Sequence, residues 1–181
     1  MAKASTRPAF SRYQVFVIAV LAFLQFTIIL DFMIMSPLGA MVMPKLHISP
    51  QQFGFAVSSY AFSAGVSGLA AAGFADRFDR KRLLLFFYAG FTLGTLLCGL
   101  ATSYPLLLMA RIVTGLFGGV IGSVVLAIAT DLFPLEVRGR VMGFIQTAFA
   151  ASQVLGLPTA LKAAISQSTR SWRRRALPRE Q

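Results

Sequence analysis

The chain has 181 residues, of which 56% are hydrophobic and only 13% are charged, against about 25% charged residues in soluble domains. So few polar residues cannot cover a water-facing surface, which excludes a soluble enzyme and a disordered tail. Cys98 is the only cysteine, which excludes a disulfide-stapled secreted domain. The net charge of +11 invites a nucleic-acid-binding interpretation. However, the charges lie in short segments between long uncharged runs, so we expect no nucleic-acid partner.

Five uncharged runs cover residues 13–30, 46–75, 83–110, 112–130 and 141–161. A helix needs about 20 apolar residues to cross the hydrocarbon core of a membrane, and the runs lack the alternation of barrel strands. The sequence therefore predicts an all-α, polytopic membrane helix bundle with about five transmembrane helices, surrounded by lipid. The predicted helices cover residues 13–43, 52–74, 83–102, 105–133 and 141–161. We expect the first helix to be interrupted at Asp31 and to bend or end near Pro37 and Pro44.

Basic residues cluster in three places on the same side of the predicted bundle: the tail 1–12, the second connection 75–82 and the fourth connection 134–140. Because basic segments stay in the cytoplasm, we predict a multi-pass protein of the cell (inner) membrane with a cytoplasmic N-terminus. The bundle itself is assigned to residues 13–161.

The last segment, 162–181, breaks this charge pattern, because it is rich in arginine and five crossings would place it outside. Two explanations are open. Either the fifth helix does not span the membrane, or the basic tail is unrelated to the rest of the chain.

Two charged residues lie inside apolar runs, Asp31 in the first helix and Arg111 in the fourth. Each costs at least about 2.5–3.5 kcal/mol at the bilayer centre. Counting the helical rise from each membrane surface puts both residues in the outer half of the membrane, where they can pair. The pair is either a transport and coupling site that responds to protons or a structural polar pair. His47 is predicted to be a solvated loop residue, and we expect no metal or cofactor.

Small residues recur at spacings of four in the second and fourth predicted helices. The glycines in this pattern are Gly65, Gly68, Gly115, Gly118, Gly119 and Gly122. Small residues at this spacing let helix backbones approach closely in a membrane. The pattern favours tight packing of these two helices, which is either static or the basis of a sliding movement.

The connection between the second and third helices carries an acidic residue followed by ordered basic residues. It resembles the signature loop of the major facilitator superfamily, whose pattern is G-x-L-A-D-R-x-G-R-K-x-x-L. The matching residues are Ala75, Asp76, Arg77, Arg80, Lys81 and Leu84. Two positions depart from the pattern, because Ala72 and Asp79 stand where glycines are expected.

Other segments extend the resemblance. Arg111 and Gly115 match the family's R-x-x-x-G stretch, residues 134–140 are similar to its fourth connection, and Leu30-Asp31 resembles the twelve-helix drug:proton antiporter branch. Gly156 and Pro158 match that branch's fifth-helix motif only in part.

The resemblance implies the truncated N-terminal half of a fold made of two six-helix halves that rock around a central site. It implies proton-coupled efflux of drugs or small solutes, with protons and a small-molecule substrate as partners and no enzymatic activity. It also implies that Asp76, Arg77, Arg80, Lys81 and Arg138 form a conformational charge cluster, although these charges also suit a simple topological anchor. The alternative is a non-transporting membrane fragment that associates with other membrane proteins.

Overall fold

The computed structural model describes residues 10–147, 150–154 and 162, and no β-strand occurs among them. Four helices are long and apolar enough to cross a membrane within this part of the chain. They are α1 (Arg12–Leu46), α2 (Pro50–Phe74), α3 (Arg80–Gly99) and α4 (Tyr104–Leu132). A 3-10 turn, Ala75–Arg77, connects α2 to α3. A further helical segment covers residues 135–147, which we label α5, and residues 150–154 are also helical.

The all-helical membrane bundle predicted from the sequence is confirmed, with four spans described in full and the start of a fifth helix. Residues 155–161 of the predicted fifth helix lie outside the described residues. The same holds for the basic tail apart from Lys162.

Side-chain caps fix the start of three helices. Ser11 with Gln14 and Ser49 with Gln52 form capping boxes, in which each serine accepts from the glutamine N–H and each glutamine accepts from the serine N–H. The Asp79 side chain caps α3 by accepting a hydrogen bond of 2.9 Å from the backbone N–H of Arg82. These caps satisfy backbone donors that a helix start leaves unpaired.

The first helix is longer and more regular than predicted, because α1 continues unbroken through Asp31, Pro37 and Pro44. The expected interruption at Asp31 is wrong, and Pro37 does not end the helix. The expected end near Pro44 agrees with the structure, because the last residue of α1 is Leu46. Neighbouring helices in a membrane bundle can satisfy the backbone groups that a proline frees, which lets α1 continue past Pro37. The C-cap residue His47 adopts a left-handed conformation with φ of 53°.

Two helices begin at least three residues earlier than predicted. The third begins at Arg80 because Asp79 caps it, so the basic residues 80–82 lie in its first turn rather than in a loop. The fifth begins at residue 135 instead of 141, because the backbone N–H groups of Val137 and Arg138 both bond to the carbonyl oxygen of Pro134. Arg138 therefore belongs to the first turns of α5.

Helix α4 is the centre of the bundle and packs against α1, α2 and α3. Its buried side chains include Leu107, Ile121 and Val125. The main core cluster joins Ile121 and Val125 of α4 to Leu21 of α1 and to Ile145 of α5. This arrangement places residues of α4 within reach of all three neighbouring helices.

Candidate functional site

The most deeply buried charges of the described residues form an ion pair between α1 and α4. The Nη1 atom of Arg111 donates a hydrogen bond of 3.0 Å to Oδ2 of Asp31. The side chain of Arg111 is 1% exposed and that of Asp31 is 10% exposed. The structure thus brings together the two charged residues that the sequence places at similar depth.

Two further helices supply groups to this pair. Thr95 of α3 donates from Oγ1 to the second carboxylate oxygen of Asp31 over 3.0 Å. The ring of Tyr60, on α2, lies under the guanidinium of Arg111, with 4.5 Å between Cζ and the ring centroid. A cation over an aromatic face is stabilised, more so where water is excluded. Four helices therefore converge on one buried charge pair.

The guanidinium of Arg111 has more hydrogen-bond donors than the surrounding residues can accept. Its Nε and Nη2 are buried and have no hydrogen-bond partner among the residues that the structure describes. An unsatisfied buried donor costs about 1–3 kcal/mol, and more when it belongs to a charged group. The site therefore retains capacity to bind an additional acceptor, such as water or a polar ligand atom.

A cavity of about 460 Å³ opens beside the pair, between α1, α3 and α4. Most of its wall is apolar, and its polar lining groups are Thr27, Asp31, Tyr88, Thr92, Thr95, Cys98 and Arg111. Its size falls within the range of about 300–1,000 Å³ that is common for small-molecule sites, and an apolar wall with few polar groups is also typical of them. The arrangement can enclose a lipophilic compound next to a single carboxylate.

The close approach of α2 and α4 depends on two of the predicted glycines. A Cβ on Gly115 would lie 2.5 Å from the carbonyl oxygen of Tyr60 and would also collide with Ser63. A Cβ on Gly119 would lie 2.7 Å from the carbonyl carbon of Ala64 and would collide with Ser67. Because no side chain fits there, these glycines allow α2 to bring Tyr60 against Arg111.

The other predicted glycines differ in their surroundings. Gly118 and Gly68 have neighbours at 3.0 Å and 3.3 Å from a built Cβ, whereas Gly65 and Gly122 have no such neighbour within 4 Å. Within the described part of the chain, the last two are not needed for helix contact.

Two glycines of α3 that the sequence pattern did not single out are tightly packed against α4. A Cβ on Gly90 would collide with the Phe117 ring and lie 2.5 Å from its Cδ1, and one on Gly94 would lie 2.5 Å from Thr114 Oγ1. They are four residues apart, the same spacing that drew attention to α2 and α4, so the signal was present in α3 but was not used.

The predicted charge cluster lies at the other end of α4. Arg80 forms an ion pair of 3.1 Å with Asp131, in the last turn of α4. Arg138 donates from Nη2 to the carbonyl oxygens of Thr130 and Phe133 over 2.7 Å and 3.3 Å. Thus Arg80 and Arg138 both bind the C-terminal end of α4.

The remaining members of that cluster are more dispersed. Asp76 and Arg77 lie in the 3-10 turn, and Lys81 lies in the first turn of α3. The side chains of Arg77 and Lys81 are exposed.

Sequence reasoning missed three residues that contact the predicted charged residues: Tyr60, Thr95 and Asp131. Asp131 had a usable signal, because a carboxylate in the last turn of a helix opposes the helix dipole and requires a nearby cation. Tyr60 and Thr95 carried no signal in a single sequence, since residues of these types are common in membrane helices.

Comparison with known proteins gives a family match over most of the chain. A family model described as Major Facilitator Superfamily matches residues 21–173. The match extends into the basic tail that the sequence sets apart from the bundle, and whether that tail is unrelated stays a prediction.

Several curated proteins are similar to this chain. The uncharacterized MFS-type transporter YceJ of Bacillus subtilis is 32% identical over 134 residues, which cover 74% of this chain and 34% of YceJ. Multidrug resistance protein 3 of the same organism is 34% identical over 122 residues, covering 67% of this chain and 23% of that protein. The chain therefore spans about a third or less of these relatives.

A solved structure has the same fold. It is a bacterial homolog to the human lysosomal transporter Spinster in an inward-facing and unoccupied conformation, with a TM-score of 0.76 and 20% identity. The superposed region covers 82% of this chain and 31% of that one.

Proposed function

Because the chain belongs to the Major Facilitator Superfamily, whose members are membrane transporters rather than enzymes, we propose that it acts in proton-coupled efflux of drugs or other lipophilic small solutes. The observation that carries the proposal is the buried pair of Asp31 and Arg111 beside a largely apolar cavity. The curated relatives of this chain include Multidrug resistance proteins 2 and 3 of Bacillus subtilis, which supports drugs as the substrate class.

The pair has the properties of a coupling site. Each charge is stabilised in the membrane interior mainly by the other, so protonation of Asp31 weakens the attraction that holds Arg111 in place. A positively charged compound that binds Asp31 has the same effect. A proton and such a substrate therefore compete for one carboxylate, which is the requirement for exchanging one against the other.

The unpaired donors of Arg111 support a second arrangement of the site. When Asp31 is neutralised, the guanidinium can turn toward another acceptor, because Nε and Nη2 have no partner among the described residues in the first arrangement. The two arrangements differ in the contacts between α1 and α4. A transporter that alternates between two states needs an element of this kind.

The charge cluster at the far end of α4 is proposed to stabilise one of the two states. The pair of Arg80 and Asp131 connects α3 to α4, and Arg138 connects α5 to α4. Both contacts are at least partly exposed, so they can break and reform without a large desolvation cost. On the basis of the family resemblance, we propose that the same charge cluster includes Asp76, Arg77 and Lys81.

We also propose the orientation and the domain limits predicted from the sequence: a cytoplasmic tail 1–12, a bundle 13–161 and a basic tail 162–181 in the cell (inner) membrane. A single cysteine in place of Lys81 should be shielded from a membrane-impermeant maleimide in intact cells, and one in place of Lys45 should react. Both variants carry Cys98→Ser. The reverse labelling pattern would refute the orientation.

Competition between a proton and a substrate tests the proposed function directly. The purified chain in detergent solution is titrated with tetraphenylphosphonium, a lipophilic cation, at neutral and at acidic pH. We expect the cation to bind more weakly at acidic pH, because the proton and the cation compete for Asp31. Asp31→Asn should bind the cation more weakly than the wild type at neutral pH, and its affinity should not depend on pH.

Two further variants make this result specific. Glu136→Gln also removes a carboxylate, but at an exposed position outside the cavity, and its affinity for the cation should depend on pH as that of the wild type does. The double variant Asp31→Leu/Arg111→Met removes the pair without leaving an unpaired charge, and it should fold but bind the cation weakly at both pH values. An unchanged pH dependence of cation binding in the double variant would refute the proposal.

A further inference from the structure

A second cavity, separate from the ion pair, lies where the 3-10 turn meets the start of α3. Its volume is about 710 Å³, and its walls include Phe74, Phe78, Phe86 and Phe87, with Arg77 and Arg82. We name it the interfacial pocket. We propose that it binds one anionic glycerophospholipid, with the phosphate between the two arginines and an acyl chain against the phenylalanines. The proposal rests on the membrane placement of the helices and is independent of transport.

The length of α3 puts this pocket at the level of lipid headgroups. The helix has 20 residues, which at 1.5 Å per residue gives about 30 Å. This equals the thickness of the hydrocarbon core, also about 30 Å. When α3 spans the core, its first turn lies at the boundary where lipid phosphates are found. Arg82 lies in that turn, and Arg77 lies in the turn that precedes it.

The two arginines are available to a ligand. Both side chains are exposed, and neither makes a hydrogen bond or an ion pair with the residues described. The carboxylate of Asp79, which also lines the pocket, accepts from the backbone N–H of Arg82. Arg80, by contrast, is paired with Asp131. Arg77 and Arg82 therefore form a positive pair at the mouth of the pocket.

The phenylalanines of the pocket wall suit the acyl chain of a lipid. Phe78 is 58% exposed and Phe86 is 67% exposed. Phe74 and Phe78 pack edge to face with 6.2 Å between ring centroids, and Phe86 and Phe87 do so at 5.4 Å. The wall is thus apolar and open to the bilayer. A cationic mouth above an apolar wall has the polarity of an anionic phospholipid, and basic pockets between membrane helices are known to bind such headgroups.

Native mass spectrometry of the purified full chain tests the proposal, with phosphatidylglycerol and phosphatidylcholine of identical acyl chains as probes. We expect one phosphatidylglycerol to bind at least tenfold more tightly than phosphatidylcholine. Arg77→Gln/Arg82→Gln should weaken phosphatidylglycerol binding about thirtyfold, as expected for two arginines near a lipid phosphate. The matched control Arg12→Gln/Arg140→Gln also removes two exposed positive charges but leaves the pocket intact, and it should change binding less than about threefold.

Three results would overturn the proposal. They are equal binding of the two lipids by the wild type, an equal loss in the two double variants, and replacement of the lipid by a second copy of the chain. Inorganic phosphate distinguishes a lipid from a free anion. We expect it not to displace phosphatidylglycerol, because only the lipid contacts the phenylalanine wall, and displacement would assign the site to free phosphate instead. Because the comparison of the two lipids uses the wild type, the test does not depend on whether a variant folds.

Discussion

Two arginine–aspartate pairs among the described residues have nearly equal lengths but very different surroundings. Arg111 and Asp31 are 3.0 Å apart with side chains 1% and 10% exposed, whereas Arg80 and Asp131 are 3.1 Å apart with side chains 27% and 56% exposed. The distance is the same, but the energy is not. An exposed pair is worth about 0–1 kcal/mol, while breaking a buried pair costs about 3–5 kcal/mol because it leaves an uncompensated charge.

We propose that this difference gives the two pairs different tasks. The buried pair holds α1 against α4 and would separate only after a substantial event, such as protonation or ligand binding. The exposed pair can open and close with little change in free energy. A transporter that alternates between states needs a stable contact in its interior that a ligand can break and weak, reversible contacts at its surface. In this proposal the two pairs meet these requirements.

Removing one carboxylate from each pair is expected to give the largest contrast. Asp31→Asn should lower the free energy of unfolding by about 3–5 kcal/mol, because it leaves Arg111 buried without its counter-ion. Asp131→Asn should lower it by no more than about 1 kcal/mol, because the Asp131 side chain is 56% exposed and exposed pairs contribute little. Denaturant unfolding of the purified chain in detergent micelles, followed by circular dichroism, measures both values.

The double variant Asp31→Leu/Arg111→Met controls for burial, since it replaces the pair with apolar side chains. Its free energy of unfolding should recover most of the loss, as buried ion pairs are often replaced by apolar residues without loss of stability. Equal destabilisation by Asp31→Asn and Asp131→Asn would mean that burial does not separate the two pairs.

Adding one methyl group at either of two glycines of α4 should show a similar contrast, here between a tightly packed position and an open one. Gly119→Ala should destabilise the chain by about 1–3 kcal/mol, because its Cβ would overlap the backbone of Ala64 and force α2 away. Gly122→Ala should be neutral or stabilising by up to about 1 kcal/mol, because a Cβ there has no neighbour within 4 Å and alanine favours the helix. The same unfolding experiment reads out both, and a loss of stability in Gly122→Ala would contradict the assignment of α4 faces.

The sequence was most informative where a charged residue lies within a long apolar run. Asp31 and Arg111 interrupt long apolar runs, so their cost in a membrane and the helical rise were enough to predict their depth. The spans themselves followed from the same apolar runs. These inferences depend on residue type and spacing alone, which a single chain contains in full.

The parts that could not be predicted depend on neighbours in space. The continuity of α1 through Pro37 and Pro44 depends on helices that pack around it, which a local proline rule ignores. The start of α5 depends on the carbonyl of Pro134, and the start of α3 on a cap by Asp79. Thr95 was not found because only the folded bundle brings its common hydroxyl group against Asp31.

The smallest expected effect concerns the surface contact that Arg138 makes with the end of α4. Arg138→Gln should lower the free energy of unfolding by about 1 kcal/mol, because it removes a cation from the negative end of the helix dipole and leaves two carbonyls without this donor. Arg140→Gln, an exposed neighbour in the same helical segment, should change it by less than about 0.5 kcal/mol. Hydrogen exchange at the last turn of α4 adds a local measurement, and it should become faster in Arg138→Gln alone. Equal exchange rates in the two variants would mean that Arg138 contributes charge to this face of the bundle but does not fix the end of α4.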